Sequence, residues 1–484
     1  MEIILVIAAL LAILIAVLLT RAARFSTPVA PECEPTPVTG DAEAVAKRLS
    51  GAIRFKTISF PEQERIDGSQ FFGLHEYLKA SYPLVASRLQ WETVKDYSLL
   101  LKWPGKGGCK PTALLAHQDV VPVNPGTEGD WTHEAYSGQV DETHVWGRGT
   151  IDMKGHLISV LEAAESLLAE GFQPQSDVYL CFGHNEEIVS AENSGAKATM
   201  ELLLERGIKL DLIVDEGGVV IPGKQMLGMD GLVAVVGTAE KGYMDVRLTC
   251  VQDGGHSSQP PKSSALGILA RAVTRIEQSQ AKVHLIDTVE TMLMTAGRRM
   301  AFGQRLIFAN LWLFRPLLLK VLSAKPLTNA LIRTTRAVTM ASGSPAPNVL
   351  PQKAEVVVNV RLLPGDTMEE EIERLRSIIA DDRVIVEPMK GKNPSNESPI
   401  DTDGYRLIKE TLERMYPGVV VAPYLMIGGT DSCMYEPVCD NIYRIAPFLI
   451  GQEELRMTHG TNERISKINL LRGAEFFRSV LLKR

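Results

Sequence analysis

The sequence predicts an α/β fold with a mostly parallel sheet, because short buried strands alternate with amphipathic helices. Apolar runs at residues 112–116, 178–182 and 210–214 have the length and composition of buried strands. Between the first two, apolar residues recur at helical spacing over residues 157–168, and Gly171 is a typical stop. Polar residues follow each run. They should therefore meet outside the carboxyl ends of the strands, where such folds bind their ligands.

The N-terminal element is predicted to be a membrane helix over residues 1–24. Residues 3–19 are all apolar, and at 1.5 Å per residue they extend about 26 Å, close to the roughly 30 Å core of a bilayer. A signal peptide, cleaved or uncleaved, is the alternative, although Glu2 stands where a signal peptide normally carries positive charge. Arg21 and Arg24 follow the run, which favours a single-pass anchor with a cytoplasmic body over a secretory location.

The rest of the chain divides into a linker and two predicted domains. Residues 25–40 are rich in proline and are expected to form an extended linker. Residues 41–236 and 393–484 are predicted to form one domain. Residues 237–392 are predicted to be inserted into it as a lid or dimerisation domain.

The expected structure of the insert is a ferredoxin-like β-α-β-β-α-β unit. Helical patterns occupy residues 263–276 and the segment after Thr367, which forms a capping box with Glu370. Strands are predicted at residues 244–250, 337–340, 356–362 and 384–386.

Residues 306–322, within the insert, are rich in large apolar side chains. Arg315 and Lys320 interrupt this run, so a second membrane span is not expected. Two interpretations remain open. The segment packs on its own domain or at a subunit contact, or it forms an apolar wall for a greasy substrate or a contact with a membrane surface.

The composition excludes several classes of protein. The chain has 51 Lys and Arg against 58 Asp and Glu, a formal net charge of −7, so nucleic acid is not an expected partner. Six cysteines in 484 residues, without a C-x-x-C pair, do not make a disulfide scaffold or a structural zinc ribbon. Residues 147–155 are rich in glycine but lack the spacing of a phosphate-binding loop.

Metal-capable side chains lie at the predicted ends of several elements. A single histidine or a pair of glutamates is common on a solvated surface, so none of them is specific alone. Two imidazoles and several carboxylates together suit a pair of divalent cations. The residues are His117 with Asp119, Asp152, Glu186 with Glu187, Asp215 and His459.

The sequence resembles the zinc aminoacylase and carboxypeptidase family of metallopeptidases from about residue 41 to residue 484. Residues 183–187, 310–314 and 326–330 are most similar to the branch that contains carboxypeptidase S and the N-fatty-acyl-amino-acid synthase/hydrolase. The resemblance implies a zinc-peptidase-like catalytic domain. Five ordered motifs carry it, at residues 116–122, 147–155, 185–187, 214–217 and 428–432.

The resemblance also implies a site with two zinc ions, for which cobalt or manganese could substitute. Asp152 would bridge the two ions. His117 and Asp215 would complete one site, and Glu187 and His459 would complete the other.

Further residues take implied roles from the same family. Asp119 would orient the metal-binding histidine beside it, and Glu186 would be the general base that activates water. In the insert, His256 would stabilise the oxyanion, often from a partner subunit. Asn348 and Arg361 would bind the substrate, because a guanidinium suits the free carboxylate of an acyl amino acid.

The expected function is that of a di-zinc amidohydrolase acting on N-acyl amino acids, by a reaction that could also run toward synthesis. The anchor and the apolar segment favour a fatty-acyl group. The alternative is a carboxypeptidase or dipeptidase acting on short peptides with a free C-terminus. A homodimer through the lid domain is the implied protein partner. A serine hydrolase is disfavoured because residues 255–259 lack the final glycine of the nucleophile elbow, and a membrane-tethered scaffold is the non-enzymatic alternative.

Overall fold

The structure is a computed structural model that describes residues 1–27, 35, 38–108, 110–188, 194–226 and 228–484. Most of the predicted linker over residues 25–40 lies outside the described residues, as do Cys33 and Cys109. The four described cysteines are free thiols: Cys181, Cys250, Cys433 and Cys439.

The described residues form helices and strands that alternate along much of the chain. The helices are α1 Glu2–Arg24, α2 Ala42–Ile53, α3 Gly68–Ser81, α4 Pro83–Arg88, α5 Lys154–Ala169, α6 Gly195–Glu205, α7 Gly223–Met226, α8 Ala265–Gln278, α9 Asp287–Gly297, α10 Phe302–Phe308, α11 Leu311–Leu322, α12 Pro326–Ala330, α13 Met368–Ile379, α14 Asp403–Met415, α15 Gln452–Met457 and α16 Lys467–Leu481. The strands are β1 Gln90–Val94, β2 Ser98–Trp103, β3 Thr112–His117, β4 His144–Trp146, β5 Val178–Gly183, β6 Leu212–Asp215, β7 Val220–Pro222, β8 Leu232–Glu240, β9 Gly242–Val251, β10 Gly255–His256, β11 Thr335–Ser342, β12 Val349–Leu350, β13 Lys353–Leu362, β14 Val384–Lys392, β15 Val420–Met426, β16 Ile442–Arg444 and β17 Arg464–Ser466.

A nine-stranded sheet has the order β1-β2-β5-β3-β6-β16-β8-β15, with β7 paired to β8. The pairs β3–β5, β3–β6, β6–β16 and β8–β15 are parallel, whereas β1–β2, β2–β5, β8–β16 and β7–β8 are antiparallel. The sheet is therefore mixed, which corrects the prediction of a mostly parallel sheet. A short turn through Lys95 and Asp96, both with positive φ, joins β1 to β2, and a turn this short joins only antiparallel strands.

The three strands predicted from apolar runs lie side by side in the middle of this sheet. Every residue of β3, β5 and β6 is buried. The helix predicted from residues 157–168 is α5, which contacts β3 of the sheet and the helices α2 and α16. Because β3, β5 and β6 run parallel, their carboxyl ends meet at one edge of the sheet, and the polar residues that follow them meet there too.

A smaller antiparallel sheet has the order β11-β13-β9-β14. With α8 and α13, its strands follow one another along the chain as β-α-β-β-α-β, the order expected for residues 237–392. Strands β9 and β13 bury alternate residues, as half-exposed strands do. The Thr367 side chain caps α13 by accepting a hydrogen bond from the Glu370 amide. The chain enters this sheet at Lys241, between β8 and β9, and leaves it after Lys392.

Residues 287–330, between the two halves of the small sheet, include the apolar segment and form α9, α10, α11 and α12. Helix α9 lies against β15 of the large sheet, and α10 contacts α9 and α11. Ile332, Val235 and Leu425 belong to one apolar cluster that joins the segment to β8 and β15. This cluster is separate from the core of the small sheet. The segment is inserted in sequence, yet it extends the core of the large sheet.

Helix α1 is long and apolar enough to cross a membrane by length and composition, and its apolar window is not buried in the protein. In the described part of the chain, the hydrogen bonds that join α1 to the body come from its C-terminal end. The Asn310 side-chain amide donates to the Leu18 carbonyl oxygen over 3.1 Å, and Arg21 Nε donates to the Ala309 carbonyl oxygen over 3.0 Å. The N-terminal part of α1 therefore projects from the body.

Candidate metal centre and active-site cleft

His117 is the last residue of β3 and is 1% exposed. Its Nδ1 lies 3.0 Å from the Asp119 carbonyl oxygen and 3.3 Å from the Asp119 carboxylate. This contact fixes the ring so that Nε2 faces Asp152 and Glu216, at 3.0 and 3.2 Å. The Asp119 carboxylate also accepts hydrogen bonds from the amides of Glu186 and Glu187, each over 3.2 Å. One buried carboxylate thus positions both the histidine and the glutamate pair.

Asp152 lies between two histidines. Its Oδ1 is 3.0 Å from His117 Nε2, and its Oδ2 is 3.0 Å from His459 Nε2. His459 also lies 3.1 Å from Glu187. Asp152 therefore belongs to two groups of side chains, each with ligand atoms within 4.8 Å of one another. The groups are His117, Asp152 and Glu216, and Asp152, Glu187 and His459.

Glu216, and not Asp215, completes the first group. The sequence analysis assigned Asp215, the last residue of β6, to this position. In the structure Asp215 accepts a hydrogen bond from the Ser432 amide over 3.1 Å, whereas the next residue along the chain reaches His117. Consecutive residues of a strand point to opposite sides, so a shift of one position decides which carboxylate faces the cluster.

The electrostatics of these groups fit a pair of cations. Desolvation and the charges of neighbouring carboxylates raise the pKa of Glu216 to about 8 and that of Asp431 to about 7, and they also raise the pKa of Glu187. Glu187 Oε1 is buried without a hydrogen-bond partner in the described part of the chain. Nitrogen and oxygen donors of this kind suit zinc, and also cobalt or manganese. Divalent cations would neutralise the negative charge of the clustered carboxylates and would give Glu187 Oε1 a partner.

Glu186 lines a cleft of about 380 Å³ above the two groups. Burial raises its pKa well above the usual value, and the charges of Glu216 and Asp431 add to this rise, although His117 opposes it. The walls of the cleft come from both sheets: Glu187, His459 and Asp431 belong to the large-sheet side, and Tyr243 and Arg361 belong to β9 and β13. The cleft therefore lies between the two carboxylate–histidine groups and the small sheet.

Arg361, like Lys241, is a cation of this cleft that has no ion-pair partner in the described residues, and its role in substrate binding stays a prediction. Its guanidinium lies over the Tyr243 ring, 4.6 Å from the ring centre, and the Tyr243 hydroxyl donates to Asp245 over 2.6 Å. Burial lowers the pKa of Arg361. A half-buried guanidinium without a counter-ion is an anion-binding group.

His256 and Asn348 lie elsewhere. Strand β10 pairs with β12, and His256 and Asn348 line a second cleft of about 740 Å³ beside this pair. Neither residue lines the cleft over Glu186. His256 is exposed, and its Nδ1 lies 2.7 Å from the Ser258 hydroxyl. Of the three insert residues predicted to act on the substrate, the single chain brings only Arg361 to the glutamates.

The sequence analysis did not predict two lysines that line the cleft. Lys241, where the chain enters the small sheet, donates to the carbonyl oxygens of Ala330 and Arg333 over 2.9 and 2.8 Å, and burial lowers its pKa to about 7. Lys392, where the chain leaves it, lies 3.4 Å from Glu240. Both are ordinary lysines at strand ends, so no sequence pattern distinguishes them.

The motif at residues 428–432 also receives a structural explanation. Thr430 donates from both its amide and its hydroxyl to Glu240, and Glu240 forms a buried ion pair with Arg444. Asp431 thereby lines the cleft. Glu240 and Asp215 accept the hydrogen bonds that hold this motif in place, and the Asp215 contact is with the Ser432 amide. This contact explains why Asp215 lies outside the metal groups.

The fold and the paired carboxylate–histidine groups define an amide-bond hydrolase of the metallopeptidase class. The chain belongs to peptidase family M20/M25/M40, whose profile matches residues 113–483. It is similar to a probable carboxypeptidase S-like 2 of Dictyostelium discoideum, with 36% identity over 90% of this chain and 83% of that protein. It is similar to the N-fatty-acyl-amino acid synthase/hydrolase PM20D1 of Xenopus tropicalis, with 37% identity over 94% and 90%.

Solved structures share the fold at low sequence identity. An M20 family metallo-carboxypeptidase, Sso-CP2 from Sulfolobus solfataricus, superimposes with a TM-score of 0.66 and 17% identity, covering 90% of this chain and 99% of that one. Human carnosine dipeptidase 1 superimposes with a TM-score of 0.61 and 14% identity, covering 92% and 99%. The predicted family is confirmed, and so is its α/β metallopeptidase fold.

Proposed function

We propose that the protein is a di-zinc amidohydrolase that cleaves the amide bond of N-fatty-acyl amino acids. The observation that carries the proposal is the unpaired Arg361 guanidinium on the wall of the cleft that contains Glu186. An acyl amino acid has a free carboxylate a few ångströms from its amide bond. A cation opposite a general base therefore suits this class of substrate.

The metal ligands in this proposal are His117, Asp152 and Glu216 for one ion and Asp152, Glu187 and His459 for the other. Bound zinc lowers the pKa of a water molecule and polarises the amide carbonyl. Asp119 keeps His117 in the orientation that leaves Nε2 free for a ligand.

Glu186 acts as the general base. Its carboxylate takes a proton from the attacking water as the new carbon–oxygen bond forms, and it then gives that proton to the leaving nitrogen as the carbon–nitrogen bond breaks. The products are a fatty acid and an amino acid, and the same steps in reverse form the amide. A pKa raised by burial suits a group that must both accept and release a proton.

His256 and Asn348 contribute from a partner subunit in this proposal. They are exposed beside the β10–β12 pair and line a cleft of their own, so they are accessible to a second copy. His256 would then stabilise the oxyanion, and Asn348 would contact the substrate. A homodimer through the inserted domain supplies this arrangement.

Helix α1 anchors the protein in a membrane in this proposal, with the positive residues that follow it favouring a cytoplasmic body. A fatty-acyl substrate partitions into membranes, so an anchored enzyme meets it at high local concentration. Relatives named N-fatty-acyl-amino acid synthase/hydrolase support the fatty-acyl class. Relatives named carboxypeptidase S-like support the second candidate, a carboxypeptidase for short peptides.

A substrate panel tests the proposal. The purified full-length protein with zinc is assayed against acetyl, octanoyl, palmitoyl and oleoyl amino acids that share one amino acid, and against dipeptides that end in it. We expect kcat/KM to rise with acyl length and to fall when the amino-acid carboxylate is converted to an amide. A preference for dipeptides over every acyl amino acid would favour the carboxypeptidase.

A further inference from the structure

An exposed apolar surface lies on α10, α11 and α12. Leu318 is the one residue of α11 that is buried, so this apolar helix turns most of its side chains outward. Single exposed apolar residues are ordinary on proteins, whereas a group on consecutive helices indicates an interaction surface. The group, called here the apolar platform, consists of Phe302, Trp312, Leu313, Leu317, Val321 and Leu327, each at least 41% exposed.

The platform is attached to α1 at the end of its apolar run. Asn310 and Ala309, between α10 and α11, hydrogen-bond to Leu18 and Arg21 of α1. The apolar run ends at Leu19. If α1 crosses a bilayer, these hydrogen bonds hold α10 and α11 at the level where the membrane core meets the headgroups.

The charges of this segment complement an anionic membrane surface. The segment from residue 298 to residue 333 contains no Asp or Glu, although the whole chain has a net charge of −7. An apolar helix face flanked by cations is typical of segments that lie in the interface of an anionic bilayer. The cations are Arg298, Arg299, Arg305, Arg315, Lys320, Lys325 and Arg333.

We propose that the platform lies in the headgroup region of an anionic bilayer, beside the point where α1 enters it. This inference rests on the proposed membrane anchor and adds a second contact with the lipid. Trp312 and Leu317 enter the interface, and Lys320 and Lys325 reach lipid phosphates. The apolar run of α1 is about 26 Å long and the bilayer core is about 30 Å thick. Because the run is slightly shorter than the core, it fits a body that lies directly on the membrane surface.

Depth-dependent quenching tests the platform in the full-length chain. The protein is reconstituted in vesicles of phosphatidylcholine and phosphatidylserine. An environment-sensitive fluorophore is placed on Leu317→Cys in the platform, on Leu10→Cys in α1 or on Leu204→Cys in α6, which is exposed on the large-sheet domain. The parent chain taken through the same labelling supplies the blank, and lipid-borne nitroxides are the quencher. We expect labels at positions 10 and 317 to be quenched several-fold more than the label at 204.

The three labels separate the platform from the anchor. Quenching at position 10 but not at 317 overturns the platform and leaves the anchor, whereas quenching at 317 without 10 overturns the anchor and the proposed place of the platform beside it. Quenching at neither position overturns both. The double variant Lys320→Glu/Lys325→Glu should reduce quenching at 317 in vesicles with phosphatidylserine. The matched double variant Lys47→Glu/Lys483→Glu, with both residues exposed outside the platform, should not.

A second inference concerns Glu463, which is completely buried. Its Oε2 accepts hydrogen bonds from Arg148 Nη1 over 2.8 Å and from the Gly149 amide over 3.0 Å. Its Oε1 accepts from the amides of Ile151 and Asp152 over 2.8 and 3.2 Å. The Glu463 carboxylate therefore binds three backbone amides of the loop that carries Asp152.

The same contacts reach the loop of His459. Arg148 Nη2 donates to the Gly460 carbonyl oxygen over 2.9 Å, next to His459, whose φ is +60°. The geometry points to the Arg148–Glu463 pair as a positioning device for the metal centre. It fastens the loops that carry Asp152 and His459, which lie on either side of the inserted segment in the sequence.

Zinc affinity tests this inference, which rests on the proposed metal site. Glu463→Gln should weaken zinc binding about 10- to 100-fold in chelator competition, and should alter the absorption spectrum of the cobalt-loaded protein. Glu371→Gln is the matched control, because Glu371 is equally buried and paired with Arg336 in the small sheet. Both variants should lose stability, and only Glu463→Gln should lose zinc affinity.

Equal zinc affinities and identical cobalt spectra in the two variants would overturn the positioning role and leave the proposed metal ligands untouched. If Glu463→Gln does not fold, Arg148→Lys serves in its place. That variant keeps the charge beside Glu463 and gives up the bond to Gly460, and zinc binding unchanged from the parent would count against the inference in the same way.

Discussion

The large sheet and the insert differ in how deeply their candidate functional side chains are buried. On the large sheet, His117 is buried and Glu187 is half-buried, and both are held by several contacts. Beside the separate β10–β12 pair of the insert, His256 and Asn348 are exposed and line a cleft away from the glutamates. Burial fixes geometry but requires every polar group to be satisfied, whereas exposed groups act only when another surface meets them. The large sheet therefore holds a preformed cluster of candidate catalytic groups, whereas His256 and Asn348 would act only where another surface meets them.

The largest effect is expected on the preformed side. Glu186→Gln removes the proton carrier, so kcat for acyl amino acid hydrolysis should fall about 10²- to 10⁴-fold. Zinc content should stay at two ions per chain, because Glu186 belongs to neither ligand group. Steady-state kinetics and metal analysis measure both quantities. Glu134→Gln, on an exposed loop residue, is the control. A normal rate in Glu186→Gln would show that another group is the base.

The exposed side of the comparison is tested by His256→Ala. Loss of one oxyanion donor should reduce kcat about 10²- to 10³-fold, and the thermal midpoint should not change because the side chain is exposed. Gln259→Ala, also exposed nearby, should be active. Mixing His256→Ala with Glu186→Gln should restore part of the activity if His256 acts across a dimer. Full activity of His256→Ala would contradict this comparison, since the insert would then supply no oxyanion donor at position 256.

The same contrast explains how much the sequence could predict. An apolar run that stops at a polar residue specifies a buried strand and its end, so His117 and the glutamate pair could be placed at one sheet edge in advance. Burial of β3, β5 and β6 follows from their composition alone. The inserted β-α-β-β-α-β unit was equally visible, because its strands alternate with period two.

What the sequence could not supply depends on register and on distant packing. The difference between Asp215 and Glu216 is a single position in a strand, which composition does not resolve. The antiparallel edge formed by β1 and β2 depends on a short turn. The attachment of α9 to β15 joins parts of the chain more than a hundred residues apart, and the cleft lysines depend on the same long-range arrangement.

A pair of neighbouring variants sharpens the account of the preformed centre. Glu216→Gln should weaken one of the two zinc ions about 10- to 100-fold or more, since even indirect partners of a metal have effects of that size. Asp215→Asn should retain both ions, because its carboxylate accepts the Ser432 amide and an asparagine oxygen can do the same. Metal content after dialysis against a weak chelator distinguishes them. The reverse outcome would restore the original assignment of Asp215.

The smallest effect is expected at Arg361, where the two sheets meet in one cleft. Arg361→Lys keeps the positive charge and gives up the paired hydrogen bonds that a guanidinium makes to a carboxylate. The loss of about 1.4 kcal/mol corresponds to a roughly tenfold rise in KM, with kcat nearly unchanged because the reacting atoms lie elsewhere. Arg247→Lys, on β9 and paired with Glu355, is the matched control. The same kinetics on a substrate whose carboxylate is an amide should erase the difference between Arg361→Lys and the parent. A variant that lowers kcat and leaves KM alone would place Arg361 in the chemical step, and the division between a reaction centre and a binding wall would not hold.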